Sequence, residues 1–269
     1  MLAVIGGSGL AKLADLRDTR RQAIRTPYGD PSGALTFGRL DTTDIVFLAR
    51  HGYGHTIAPH EINYRANLWA LQHVGVDRIV SVATVGGIAG DCGPGALVVP
   101  DQLIDYTHGR RFTFFEGSEQ PVTHVDFTHP YDLDLRARLL DAARRTGDAV
   151  HDGGTYGCTQ GPRLETAAEI RRMERDGCDL VGMTGMPEAA LARELDIPYA
   201  ALCVVVNHAA GKGDSTEEIS MEAIGAVLDA TMSRVRVLLV ELVRRLADGG
   251  SAAPHAPAVA LTPAPEAAP

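Results

Sequence analysis

Arg50 and His51 stand together at the end of an apolar run, and a guanidinium beside an imidazole suits the chemistry of phosphate. The guanidinium gives a planar two-donor fork, while the imidazole donates and adds or withholds charge near neutral pH. A surface arginine with a structural histidine is the plainer alternative. The Gly-Tyr-Gly-His run that follows, together with His60, weighs towards a site. A second candidate is Gly6-Gly7-Ser8-Gly9, where residues without Cβ let backbone N–H groups approach an anion and Ser8 adds a hydroxyl donor. Alone, it reads more simply as a tight turn. It is not a dinucleotide fingerprint, because the spacing is GGSG rather than GxGxxG and no acidic strand end follows.

Four further segments place polar groups where strands are expected to end. Thr84, before Val85-Gly86-Gly87, offers a hydroxyl on flexible backbone, or an ordinary strand exit. In TQGPRLET, Pro162 fixes the chain and Glu165 opens a predicted helix, where a carboxylate equally serves as an N-terminal stabiliser. In GMTGMPE, Thr184 falls where an anion meets a helix N-terminus, and Met183 either lines a site or fills core. Asn207 caps a buried strand, where an amide recognises a ligand or closes an Asx turn.

These residues need a scaffold, and the apolar pattern supplies one. Short apolar runs at 2–5, 45–49, 78–83, 97–100, 180–182 and 199–206 predict buried strands. Helical spacing predicts helices at 64–73, 133–145, 166–176 and 221–246, the last with Arg234, Arg236, Arg244 and Arg245 solvated. Strands alternating with helices indicate an α/β domain. At 269 residues and 45% apolar content the chain supports one domain, assigned here to 1–246, followed by an Ala/Pro-rich tail at 247–269 that is too poor in large apolar groups to order.

The net charge of −9, from 25 basic and 34 acidic residues, disfavours nonspecific attraction to nucleic acid or anionic membranes. Cys92, Cys158, Cys178 and Cys203 lack metal-site or disulfide spacing and are expected as reduced core thiols, with no metal site. The N-terminus lacks a basic leader and no apolar run reaches the ~20 residues of a membrane span, so a cytoplasmic protein is expected.

Taken in order, GGSGL, RHG, HEINYRANLWAL, TQGPRLET, GMTGMPEAALARELDIPYA and the strand-end Asn207 resemble the purine nucleoside phosphorylase and methylthioadenosine phosphorylase family over about residues 1–246. Within it, the chain is most similar to the S-methyl-5'-thioinosine phosphorylases. The resemblance implies a three-layer α/β/α sandwich around a mixed sheet and a homotrimer with active sites near subunit borders. It implies inorganic phosphate as co-substrate and no metal or redox cofactor. Ser8, Arg50, His51 and Thr184 match phosphate contacts; Thr84 falls in a phosphate-contacting pair whose other position, usually Thr, is Ala83. Met183 matches the residue beside the ribose.

Base preference follows from two departures. Methylthioadenosine phosphorylases carry Asp at the positions of Asn207 and Ala209, whereas an Asn207 amide donates both hydrogens towards O6 and N7 of a 6-oxopurine. Glu165 matches the Glu of 6-oxopurine phosphorylases and accepts from N1–H. Met221 and Ile224 match positions lining the 5' substituent, and Met221 replaces the histidine that ordinary purine nucleoside phosphorylases use for the hydroxyl. His124 resembles a residue contributed by the neighbouring subunit. The implied reaction converts S-methyl-5'-thioinosine and phosphate to hypoxanthine and 5-methylthioribose 1-phosphate, with Asn207 and His51 as catalytic residues. A methylthioadenosine phosphorylase, a general 6-oxopurine phosphorylase and a noncatalytic nucleotide-binding protein are the alternatives.

Overall fold

The strands that hold the site are those whose side chains cannot stay in water on either face. In the computed structural model, which describes residues 1–10, 13, 15–117, 122–216 and 218–248, β1 (Leu2–Gly6) lies parallel between β4 (Thr43–Ala49) and β5 (Arg78–Gly87). β11 (Tyr199–His208) runs parallel to β5 along nearly its whole length. Strands covered on both faces read as continuous apolar runs. Beyond the reach of β1, the last two residues of β5 pair antiparallel with β10 (Leu180–Gly182), which lies parallel to β9 (Thr155–Cys158). β7 (Gln102–Asp105) continues from β9; β6 (Leu97–Val99) and β8 (Val150–Asp152) extend from β11. β2 (Arg17–Gln22) and β3 (Leu35–Leu40) complete an 11-stranded mixed sheet.

Alternation along the central strands sorts their side chains into two cores. Ala3, Ile5, Val46, Leu48, Ala201 and Cys203 pack with Leu68 and Leu71 of α1 (Tyr64–His73) and Leu191 of α4 (Gly185–Glu194). Their neighbours Leu2, Val4, Ile45, Phe47, Ala200 and Leu202 pack with Leu139 of α2 (Leu133–Thr146) and Leu238 and Leu242 of α5 (Met221–Asp248). The period of two therefore demands helices on both faces, giving an α/β/α sandwich.

Local signals set the helix ends. Asn63 and Asp132 accept from backbone N–H groups at the starts of α1 and α2. α3 (Ala167–Arg175) opens on a capping box between Thr166 and Glu169. The arginines expected as solvated on α5 carry acidic partners: Arg234 with Asp148, Arg236 with Asp15, Arg244 with Asp41 and Arg245 with Glu241. All four cysteines are buried free thiols. No described helix is long and apolar enough to cross a membrane. α5 continues through Ala247 and Asp248, past the expected start of the tail at residue 247; the remainder of the expected tail lies outside the described residues.

Candidate active site

The carboxyl ends of β1, β4, β5 and β11 converge, the position at which open α/β sheets bind ligands. A cavity of about 670 Å³ opens there, and Ser8, Arg50, His51, Thr84, Glu165, Met183, Thr184, Asn207, Ala209, Met221 and Ile224 all line it. Of the residues expected in the site, His124 alone lies elsewhere: it is exposed and does not line this cavity.

The turn after β1 is shaped for close approach. A Cβ on Gly7 would stand 2.9 Å from Arg50 Nη1 and 2.9 Å from the Val82 carbonyl, and Gly9 takes a φ of +76°. Glycine is therefore required at the first for space and favoured at the second for conformation. Ser8 Oγ lies 3.5 Å from His55 Nε2, and the His51 and His55 rings meet at a tilt of 44° with centroids 4.6 Å apart.

Arg50 is fully buried, and a buried cation requires compensation. Glu188, in α4, supplies it with a two-pronged pair: Nε donates to Oε2 at 2.7 Å and Nη2 to Oε1 at 2.9 Å. Nη2 also donates to Ser81 Oγ, and Nη1 to the Val82 carbonyl at 3.1 Å. Burial pulls the Arg50 pKa down, but Glu188 outweighs it, so the guanidinium is held above its usual value. Four of its five N–H groups are thus committed, leaving one on Nη1 for a ligand. Glu188, which also accepts from Tyr199 OH at 2.8 Å, is a residue whose role the sequence did not disclose. An acidic group in the first turn of a helix reads as a dipole partner, and nothing local ties it to an arginine 138 positions away.

His51 is placed differently from expectation. Burial, reinforced by the Arg50 charge, depresses its pKa to about 4, so the ring is neutral at ordinary pH. Its Nδ1 lies 2.8 Å from the Ile57 carbonyl. A carbonyl only accepts, so the proton sits on Nδ1 and Nε2 is the ring's acceptor. His51 supplies a lone pair, not the switchable positive charge expected from its sequence context.

Thr184 flanks α4 with its side chain uncommitted to capping. Met186, with φ −116° and ψ 140°, interrupts the first turn, so the regular helix starts later than the sequence implied. The expected meeting of an anion with that helix N-terminus accordingly rests on the Thr184 side chain at the cavity wall, not on a run of helical N–H groups.

Glu165 accepts from Thr159 Oγ1 at 2.6 Å, and burial raises its pKa against that hydrogen bond. Asn207 sits beyond a register shift in β11 between Val205 and Asn207, where one extra residue breaks the alternation against β5. Such a bulge re-aims a side chain. One Nδ2 hydrogen goes to the His208 carbonyl at 2.6 Å, so this conformation leaves one amide hydrogen and Oδ1, whereas the sequence suggested two free donors. Met221, at 69% exposure, forms the cavity mouth with Ile224 and Leu228 of α5.

The arrangement offers an anion a single guanidinium hydrogen, hydroxyls and glycine backbone, beside a carboxylate and an amide set to read a flat polar ring. The sequence profile of the Phosphorylase superfamily matches residues 1–244. A Xanthomonas campestris pv. campestris protein named "Probable S-methyl-5'-thioinosine phosphorylase" is 54% identical over 243 residues, 90% of this chain and 97% of its own. The 6-oxopurine nucleoside phosphorylase of Pyrococcus furiosus is 48% identical over 215 residues, 78% of this chain and 80% of its own. Among solved structures, methylthioadenosine phosphorylase from Schistosoma mansoni in complex with adenine superposes with a TM-score of 0.88 at 30% identity, covering 93% of this chain and 92% of that one. With sandwich, cavity and profile coinciding over the same residues, this chain belongs to the phosphorylase superfamily.

Proposed function

We propose that this chain catalyses phosphorolysis of S-methyl-5'-thioinosine, giving hypoxanthine and 5-methylthioribose 1-phosphate. The observation that carries the reading is that Glu165 and Asn207 share one cavity with Ser8, Arg50, His51, Thr84 and Thr184 and with the apolar side chains of Met221, Ile224 and Leu228. The Xanthomonas relative is named for methylthioinosine, whose base is the 6-oxopurine hypoxanthine, and the Pyrococcus relative for 6-oxopurine nucleosides; both names support the same choice of base.

Phosphate lies under C1' of the ribose, held by the remaining Arg50 hydrogen and the Ser8, Thr84 and Thr184 hydroxyls. His51 Nε2 accepts from a phosphate or ribose hydroxyl. The C1'–N9 bond breaks with its electron pair passing to the purine, the sugar becomes oxocarbenium-like, and a phosphate oxygen closes on C1'. Positioning and preorganised dipoles lower this barrier. Asn207 donates to N7 as charge gathers there; turning away from the His208 carbonyl frees its second hydrogen for O6. Glu165 accepts from N1–H. Adenine would turn a lone pair towards that carboxylate, and an unmet buried polar group costs about 1–3 kcal/mol.

The single catalytic domain is 1–246, in the cytoplasm, with phosphate as co-substrate and no metal or redox cofactor. The cavity mouth at Met221 is open, and His124 from a neighbouring subunit of a homotrimer completes it. The name of the Pyrococcus relative favours a second reading, a general 6-oxopurine nucleoside phosphorylase that accepts a 5'-hydroxyl as readily. Release of purine from methylthioinosine, methylthioadenosine and inosine, followed side by side with and without phosphate, separates these readings. Methylthioinosine should lead, and only with phosphate present. Asn207→Asp should shift the preference towards the 6-amino substrate by at least about tenfold, ~1.4 kcal/mol in kcat/KM. Inosine leading would favour the second reading; purine release independent of phosphate would overturn both.

A further inference from the structure

Arg110 does not line the cavity, yet it is 8% exposed and has no carboxylate within ion-pair distance among the described residues. Buried charges are ordinarily paired. Here the guanidinium is solvated by fixed oxygens instead. Nε donates to Gln160 Oε1 at 3.1 Å; Nη2 donates to the Thr159 carbonyl at 3.2 Å and the Gln160 carbonyl at 2.8 Å. Nη1 donates to the Met183 carbonyl at 2.9 Å, to the Met186 carbonyl and, at 3.3 Å, to Tyr64 OH.

The four carbonyls belong to two segments. Residues 159–160 leave β9, and Thr159 holds Glu165 through its hydroxyl. Residues 183–186 leave β10 and carry Met183 and Thr184 into the cavity. A planar fork with five donors is the one side chain able to bind both segments at once. We propose that Arg110 is a positioning residue for the nucleoside: it clamps the loop that reads the base to the loop that lies beside the sugar, fixing the separation of Glu165 and Met183. The proposal rests on the purine nucleoside reading above. Of the phosphate-holding residues, only Thr184 rides on a clamped loop; Ser8 follows β1, Arg50 and His51 follow β4 and Thr84 lies in β5, none of which Arg110 touches, so nucleoside binding should suffer more than phosphate binding.

The test is the steady-state kinetics of Arg110→Lys, which keeps the charge and loses the fork. The nucleoside kcat/KM should fall about 10–100-fold, the penalty of a loop displaced by an ångström, with the loss mainly in nucleoside KM. The phosphate KM should rise several-fold less than the nucleoside KM, since only Thr184 couples the clamp to phosphate, and the preference for 6-oxo over 6-amino nucleosides should narrow. Guanidinium ion added to Arg110→Ala should restore part of the nucleoside affinity. Leu139→Ala, in the remote core of α2, provides a destabilised control with an unaltered site. If Arg110→Lys keeps the wild-type nucleoside KM, or if both its KM values rise no more than those of the control at matched loss of melting temperature, the proposal is overturned. Should the arginine variants not fold, Gln160→Ala removes the acceptor shared by Arg110 Nε and the His108 N–H and leaves the carbonyl contacts in place; it must raise nucleoside KM in the same direction, and an unchanged value overturns the clamp. Wild-type enzyme without phosphorolytic activity would instead sink the underlying nucleoside reading.

Discussion

At the scale of single residues, the site is governed by compensation. Glu188 cancels the Arg50 charge through two hydrogen bonds inside a fully buried pair. Removing one partner of such a pair costs about 3–5 kcal/mol because the other charge is stranded. Glu188→Gln should therefore lower the melting temperature by several degrees. Added phosphate, itself an anion, should recover more stability in the variant than it adds to the wild type. Thermal melts with and without phosphate check both, and an equal response to phosphate would separate Arg50 from the anion site. His51 gives a second test. Its pKa is about 4 in the fold and ~6.5 in the unfolded chain. Between those values the unfolded chain binds the proton that the folded chain refuses, so stability intact above ~6.5 is lost as pH falls towards ~4. His51→Asn, whose amide can still donate to Ile57, should flatten that part of a melting-temperature profile against pH.

At the scale of elements, the loop after β1 is adjusted to its neighbours within tenths of an ångström. Gly7→Ala would press a methyl against Arg50 Nη1 and the Val82 carbonyl, both 2.9 Å away. The expected cost is about 1–3 kcal/mol of overpacking. Kinetics should show phosphate KM rising more than nucleoside KM; the reverse would place the phosphate elsewhere. The elements legible in the sequence are those whose pattern comes from burial. β1, β4, β5 and β11 are continuous apolar runs, and α1 matches its predicted limits because its period and its Asn63 cap agree. β2, with every residue exposed and the sequence RDTRRQ, offers no such pattern; it forms because β3 presents a free edge. β9, read as TYGC, is too short and too mixed to stand out. Site residues at strand ends were legible by the same logic. Glu188 and Arg110 were not, since each acts on groups brought close only by the sheet.

At the scale of the whole molecule, charge sets how the anion arrives. The chain carries −9, while the proposed phosphate site is close to neutral, with Arg50 matched by Glu188 and His51 uncharged. Long-range repulsion of phosphate is then opposed by little local attraction. Raising sodium chloride from ~10 mM to ~150 mM shortens the screening length from ~30 Å to ~8 Å, so the phosphate KM should fall modestly. A rise across that range would mean a basic potential at the cavity mouth. The α/β/α arrangement was legible from alternating strand and helix signals because each layer must bury its own pattern; the branching of the sheet at β5 was not, because pairing partners leave no local trace.

The irregularity in β11 between Val205 and Asn207 has an evolutionary corollary. Upstream of it, every side chain is locked into one of two hydrophobic interiors, where substitutions are punished by misfolding. Past it, residue 207 is uncoupled from that alternation, so its identity can drift without disturbing the interior. Under the role proposed for Asn207, nucleobase preference is set from a position that the packed interior does not constrain, so it can be retuned without rebuilding the fold.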